Sequence, residues 1–239
     1  MRLIRHRPAT SVAAGCVASI GNFDGVHRGH LALLTAVIEQ ARAAGLPAVA
    51  ICFEPQPKEF FARPTHIERL SPLRDKLHAL AAIGVDATAV LHFDTRLAAL
   101  DADAFIQQVL LARLRVRSLW AGADFRFGHR RGGDLDLLKA RGASAGFSVQ
   151  QAPTLTLEGE RVSSTRIRAA LAAGELQFAQ QLLGRPYSLT GRVVQGQRLG
   201  RTLGFPTANL ALGRFRLPLS GIHLSWVHGI SDRPLPALT

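Results

Sequence analysis

A glycine-punctuated decapeptide, Gly21-Asn22-Phe23-Asp24-Gly25-Val26-His27-Arg28-Gly29-His30, lies between a hydrophobic run, Cys16-Val17-Ala18-Ser19-Ile20, and an apolar helical pattern beginning at Leu31. The run reads as a buried strand and the pattern as a helix, which makes the decapeptide a strand-to-helix turn. Gly21, Gly25 and Gly29 allow conformations and close approaches that side chains would block. His27 and His30, three positions apart, fall on one face of the helix start, where free amides and the helix dipole favour anions. Imidazoles placed there can donate hydrogen bonds to charge that builds on a phosphoryl group in a transition state, which points to nucleotidyl transfer. The same residues also read as two surface histidines beside a glycine-rich turn, and the decapeptide alone does not choose.

The strand-then-helix alternation continues. Residues 47–53 read as a second strand, ended by Glu54-Pro55-Gln56-Pro57, which cannot continue a helix or a central strand. Ser71-Pro72-Leu73 looks like an N-cap with proline at the first helical position, opening a helix to about residue 82. Strands at 87–93 and 118–121 and a helix at 103–114 follow. The expected fold is α/β, a parallel sheet covered by helices on both faces, with ligands bound at the carboxyl ends of the strands. Three polar or glycine-rich segments leave such ends: 21–30, 54–58 and 122–133. Residues 164–183 read as helical; past Leu183-Gly184-Arg185-Pro186 the pattern alternates through 187–194 into Gly196, Gly200, Gly204 and Pro206. That change sets an expected boundary between a first domain, 1–184, and a β-rich module, 185–239.

At 239 residues, 47% of them hydrophobic, the chain is expected to fold around a real core as a soluble protein. No apolar run approaches the roughly 18 residues of a membrane span, and the start, Met1-Arg2-Leu3-Ile4-Arg5-His6-Arg7, lacks the features of a signal peptide. The expectation is a cytoplasmic protein with no membrane partner. Cys16 and Cys52 lie in expected strands, as small buried hydrophobes rather than a disulfide or metal pair. The formal charge of +12 asks for an anionic partner, but lysine supplies only three of the 29 basic residues, and arginine is spread along the chain. With 6% aromatic residues and no basic ribbon interleaved with rings, phosphorylated small molecules fit better than nucleic acid.

Two further segments carry chemistry. Gly122-Ala123-Asp124-Phe125-Arg126-Phe127-Gly128, continuing through His129-Arg130-Arg131-Gly132-Gly133, could close on a base and ribose through Asp124 and its rings, or be a connection whose phenylalanines fill core. In Arg161-Val162-Ser163-Ser164-Thr165-Arg166-Ile167-Arg168, Ser163 or Ser164 reads as an N-cap, and the hydroxyls, free amides, Arg161 and Arg168 also suit a polyphosphate.

These three segments, in this order, resemble the adenylyltransferase module of bacterial bifunctional riboflavin kinase/FAD synthetases. The resemblance includes Phe53-Glu54-Pro55-Gln56-Pro57, Phe93-Asp94 with Leu97-Ala98-Ala99-Leu100, and Leu182-Leu183-Gly184-Arg185-Pro186. It continues through Thr190-Gly191-Arg192-Val193-Val194 into Gly200-Arg201-Thr202-Leu203-Gly204-Phe205-Pro206-Thr207-Ala208-Asn209, similar to the riboflavin kinase signature. The resemblance implies a Rossmann-like nucleotidyltransferase fold followed by part of a β-barrel. It also implies transfer of AMP from ATP to FMN with Mg²⁺, giving FAD and pyrophosphate.

By the same resemblance, His27 and His30 are catalytic, and Gly21, Phe23, Asp24, Gly25, Asp124 and Arg161 join them around ATP. Ser163, Ser164, Thr165 and Arg168 hold the leaving pyrophosphate. Asp124 stands where relatives often carry asparagine. In the kinase module, Gly200 belongs to the nucleotide loop, and Thr207 and Asn209 help to bind Mg²⁺ and ATP for phosphorylation of riboflavin. Only 54 residues, 186–239, are available for a barrel about twice as long in relatives, and Gly221-Ile222-His223 replaces the family's Gly-Val-Tyr. The expectation is FAD synthesis retained and riboflavin phosphorylation lost. Two other readings remain: an HxGH nucleotidyltransferase with another phosphorylated acceptor, and a basic nucleic-acid-binding regulator.

Overall fold

The computed structural model describes residues 1–5, 12, 14–62, 68–196, 207–211 and 216–239. Six strands form one parallel sheet: β1 (Arg2–Arg5), β2 (Cys16–Ile20), β3 (Ala48–Glu54), β4 (Ala87–His92), β5 (Val116–Ala121) and β6 (Ser148–Gln151), in the order β1-β4-β3-β2-β5-β6. The four inner strands are the apolar runs foreseen from sequence. The edge strands β1 and β6 escaped that reading, because RLIR and SVQQ mix charge and polarity at the sheet margins.

Strand β3 shows how the sheet acquires two dry faces. Val49, Ile51 and Phe53 enter a cluster with Ile106, Leu110 and Leu138, whereas Ala48, Ala50 and Cys52 face Leu34, Val37 and Leu80. Alternate residues on a strand point to opposite faces, so a run buried on both sides must be apolar throughout. Helices α1 (Arg28–Ala43) and α3 (Leu73–Ile83) cover one face. The other is covered by α4 (Thr95–Ala99), α5 (Ala102–Phe105), the wider π-type turns of 106–113 that continue it, and α6 (Leu135–Ala145). Short α2 (Pro57–Phe61) follows β3 directly.

Local details depart from the sequence reading for identifiable reasons. Pro72, not Ser71, is the cap residue of α3, and the Ser71 hydroxyl instead accepts the Gly25 N–H at 3.1 Å. The helical stretch at 164–183 divides at Gly174 (φ +76) into α7 (Ser164–Ala172) and α8 (Leu176–Leu183). These two helices build a third cluster in which Ile167, Leu171, Ala179, Leu182 and Leu183 pack with Leu70 and Val162. Both cysteines are buried, free thiols, as expected.

Three antiparallel two-stranded ribbons complete the described chain. They are β7 (Thr156–Leu157) with β8 (Glu160–Arg161), β9 (Arg192–Val194) with β10 (Asn209–Ala211), and β11 (Leu224–Val227) with β12 (Leu235–Leu238). Much of the last two is exposed, Val193, Leu210, Leu224, Trp226 and Leu238 among them. The glycine-rich stretch containing Gly200 and Gly204 lies outside the described residues.

Candidate active site

Strand order places the site. β3 lies on one side of β2 and β5 on the other, so the loops leaving β2 and β5 flank a topological switch point, where parallel α/β sheets bind ligands. The loop after β2 contains the decapeptide; the loop after β5 begins at Gly122.

The two histidines do not simply share a helical face. His27 is the N-cap of α1, with extended backbone, and His30 is the third helical residue. The His27 Nδ1 accepts the His30 backbone N–H, and the His30 Nδ1 accepts the His27 N–H, each at 3.3 Å. This is a capping box made from two imidazoles in place of the usual hydroxyl and carboxylate. The rings stack, with centroids 3.6 Å apart and planes 20° from parallel, and Phe23 meets His30 edge-on at 5.2 Å.

The box sets the chemistry of both rings. With Nδ1 accepting, a neutral imidazole carries its proton on Nε2, so each ring offers one N–H donor. Burial, joined by the charges of Arg161 and Arg185, pulls His27 down to about 4. Burial, then His27, Lys76 and Arg161, holds His30 well below the usual histidine range. Both rings are therefore neutral at pH 7.

The loop is held from several directions. Phe23 (φ 47) and Val26 (φ 41) have left-handed backbone, which is strained for a β-branched residue. Arg185 donates to the carbonyls of Gly25 (2.7 Å) and Val26 (2.9 Å) and fixes that turn. Gly25 (φ +77) has no room for a side chain, since a Cβ would lie 2.8 Å from the Leu70 side chain. At Gly29 a Cβ would press on the His27 ring at 3.2 Å and on the Val162 carbonyl at 3.4 Å. The start of α1 thus lies against the segment that opens α7.

That contact brings the first and third sequence motifs together. The Ser164 hydroxyl donates to the Asp24 carbonyl at 2.9 Å, and Ser163 caps α7 by accepting the Arg166 N–H. Asp24, expected at the nucleotide, is instead buried and committed. Its carboxylate accepts the Leu70 and Ser71 amides at 3.2 Å and pairs with Arg168, which also donates to the Glu68 carbonyl. Thr165 is exposed in the first turn of α7. Two helix N-termini, each with one third-residue amide capped by a side chain, converge here.

The second motif joins through Asp124. Its exposed carboxylate meets Arg161 in two contacts of 3.2 and 3.3 Å, and this pairing holds it below the usual carboxylate range. Phe127 is buried and Phe125 stacks on it at 5.6 Å, so the phenylalanines fill core while Asp124 stays exposed beside Arg161. Gly21, against the Phe23 ring, opens the loop.

Sequence reasoning passed over three groups around this site. Arg185 reads in the sequence as part of the boundary segment that also carries the family resemblance, with no role at the loop after β2. Arg69, 3% exposed, bridges Glu54 and Glu59, with its Nη2 2.8 Å from Glu54. Beside this triad Phe53, Phe60, Phe61 and Phe93 form an edge-to-face cluster, centroids 5.2 to 5.8 Å apart, and Phe61 is 68% exposed. The signal for the cluster is present in Phe60-Phe61 and Phe93, but Phe93 comes 32 positions after Phe61.

In the later module, Asn209 lies on β10 opposite Val194, and its amide packs against Gly196 so closely that a Cβ there would collide. Thr207 is exposed two residues earlier. Among the described residues, no group of three or more His, Cys, Asp or Glu side chains could hold a metal ion. None of the described helices is long and apolar enough to cross a membrane.

A parallel sheet with paired imidazoles capping the helix after its central strand defines a Rossmann-like nucleotidyltransferase. The FAD synthetase family model matches residues 9–166 and the riboflavin kinase model residues 183–239. The chain is 47% identical to the bifunctional riboflavin kinase/FMN adenylyltransferase of Escherichia coli K12, over 100% of this chain and 77% of that protein. The enzymes of the same name from Pseudomonas fluorescens (49% identical; 88% of this chain, 67% of that protein) and Haemophilus influenzae (44%; 93% and 73%) are similar. A Streptococcus pneumoniae crystal structure described as a macrolide-efflux protein superimposes with a TM-score of 0.82 at 30% identity, over 100% of this chain and 78% of that one. The chain belongs to the bifunctional riboflavin kinase/FMN adenylyltransferase family.

Proposed function

We propose that this protein synthesises FAD by moving AMP from ATP to FMN. An oxygen of the FMN phosphate attacks the α-phosphorus of ATP, the bond from that phosphorus to its bridging oxygen breaks, and pyrophosphate leaves with the electron pair. The attacking phosphate is already an anion, so no general base is needed, and catalysis rests on positioning and on stabilising charge. The observation that carries the reading is the reciprocal capping of His27 and His30, which fixes two neutral Nε2–H donors at a helix N-terminus.

The α-phosphate would be met by these two donors and the pyrophosphate by the amides and hydroxyls of Ser163, Ser164 and Thr165. Arg161 can exchange its exposed pairing with Asp124 for phosphate. Arg168 would act chiefly by holding Asp24, and with it the loop, in place. The exposed edge of the Phe53–Phe60–Phe61–Phe93 cluster suits the isoalloxazine ring, which favours FMN over acceptors without an aromatic system. Mg²⁺ typically keeps waters and binds substrate phosphates, so ATP itself would carry it here, supplying charge neutralisation on the polyphosphate. In the second module Thr207 and Asn209 offer neutral oxygens of the hard type Mg²⁺ accepts. We place the modules at 1–184 and 185–239 and the protein in the cytoplasm, where ATP and flavins are available.

The test is FAD formation from FMN and ATP by the purified chain. His27→Ala or His30→Ala should lower it more than roughly 10²-fold, the scale of a lost charge-stabilising donor. Near-normal turnover in both variants would refute the assignment.

A further inference from the structure

Lys76 sits on α3 where the apolar spacing of Leu73, Leu77 and Leu80 would call for another aliphatic residue. It is 0% exposed, and its Nζ has no hydrogen-bond partner among the described residues. An ammonium left in that state is strongly penalised unless something else uses its charge. The buried or half-buried arginines around the site are engaged, Arg69 with Glu54 and Glu59, Arg168 with Asp24, and Arg185 with two carbonyls, which leaves the exposed Arg161 as the arginine that can turn to phosphate.

Its helix packs beside α1: Leu80, one turn after Lys76, shares a cluster with Leu34 of α1, with Cys52 and with Phe23, the ring that meets His30 edge-on. The charge of Lys76 acts on His30 of α1, on Cys52 near the end of β3, and on Glu59 of α2. The nearby carboxylates do not claim it by hydrogen bonding. Both oxygens of Glu59 and both of Glu54 are already bonded to Arg69, and Glu59 also accepts the Gln56 N–H.

We propose that Lys76 is a positioning residue whose positive charge, buried on α3 beside the start of α1, stabilises the negative charge that gathers on the transferred phosphoryl group. The inference rests on the nucleotidyl-transfer reading. Neutral imidazoles bring donors but no net charge to a site that must hold two anionic substrates, and a cation in a low-dielectric interior supplies it without reorganising. The same charge adds to the burial that keeps His30 a neutral Nε2–H donor.

The experiment compares the full chain with Lys76→Met, which preserves length and removes charge. The expected results are a loss in kcat of on the order of 10- to 100-fold, with KM for ATP changed less than about threefold. Tm should be unchanged or raised, because an unpaired buried charge has gone. His30, followed by imidazole proton resonances, should take up its proton at higher pH than in wild type. If Lys76 merely balanced the carboxylates of the Arg69 triad, Tm would fall, or the variant would fail to fold, and either result overturns the proposal. Unchanged kcat does so as well. Wild-type FAD formation, measured alongside, separates the two claims: its absence removes the nucleotidyl-transfer reading, while its presence with an indifferent Lys76→Met removes only the role of Lys76.

Discussion

Asp24→Asn separates an architectural from a ligand-binding carboxylate. Asp24 is 2% exposed, accepts the amides of Leu70 and Ser71, and pairs with Arg168, whose side chain is 24% exposed. Removing one partner of a buried pair costs about 3–5 kcal/mol, and the partial exposure of Arg168 lowers this to about 2–4 kcal/mol because water can take over part of its solvation. The new side-chain NH₂ cannot accept from two backbone amides, which keeps the loss from shrinking further. In a chain of this size each kcal/mol moves Tm by about 2–4 °C, so a fall of roughly 5–15 °C is expected. Calorimetry gives the Tm, and steady-state assays give KM for ATP and FMN. At a temperature where the variant is folded, kcat should fall more than either KM rises, because the loop carrying His27 has lost its tie to α7. An unchanged Tm with a raised KM for ATP would refute the reasoning and place the carboxylate on the nucleotide.

Three further outcomes follow from the same geometry. His27 is held near 4 in the folded protein and returns to about 6.5 when unfolded. Below that value the unfolded chain takes the proton first, so stability falls as pH is lowered from about 6.5 towards 4 and is level in this respect above 7. Urea denaturation across this range should show the slope, and His27→Asn should flatten part of it; a pH-independent midpoint contradicts the buried neutral imidazole. Phe61→Ala should raise KM for FMN several-fold while leaving KM for ATP and Tm nearly unchanged, since the ring is mostly exposed. Arg69→Met strands two carboxylates and should lower stability by about 3–5 kcal/mol, read from chemical denaturation.

The legible parts of this protein were those written in local pattern. Strands β2 to β5 announce themselves because burial on both faces demands uninterrupted apolar residues, and the glycine-rich loops stand out because only such residues fit their turns. The edge strands β1 and β6, half polar, follow no such rule. In the site, the importance of His27 and His30 could be read from spacing, but their mutual capping could not, because it depends on His27 leaving the helix to become its cap. Asp24 looked like a ligand because its partners lie 46 residues away at Leu70 and 144 away at Arg168. Arg185 supports the turn at Val26 across 159 residues. Long-range partnership of this kind leaves no periodic trace. Lys76 belongs with them: its place on the apolar stripe of α3 gains meaning only from its burial without a partner.

The most direct measurement is the product balance of the purified chain given ATP, Mg²⁺ and FMN, with riboflavin supplied in a parallel reaction to follow the family's second activity. FAD and pyrophosphate should appear in equal amounts from FMN, and His30→Ala should suppress both together. A folded wild-type chain that forms neither, or a His30→Ala chain that forms both at the wild-type rate, would contradict the account.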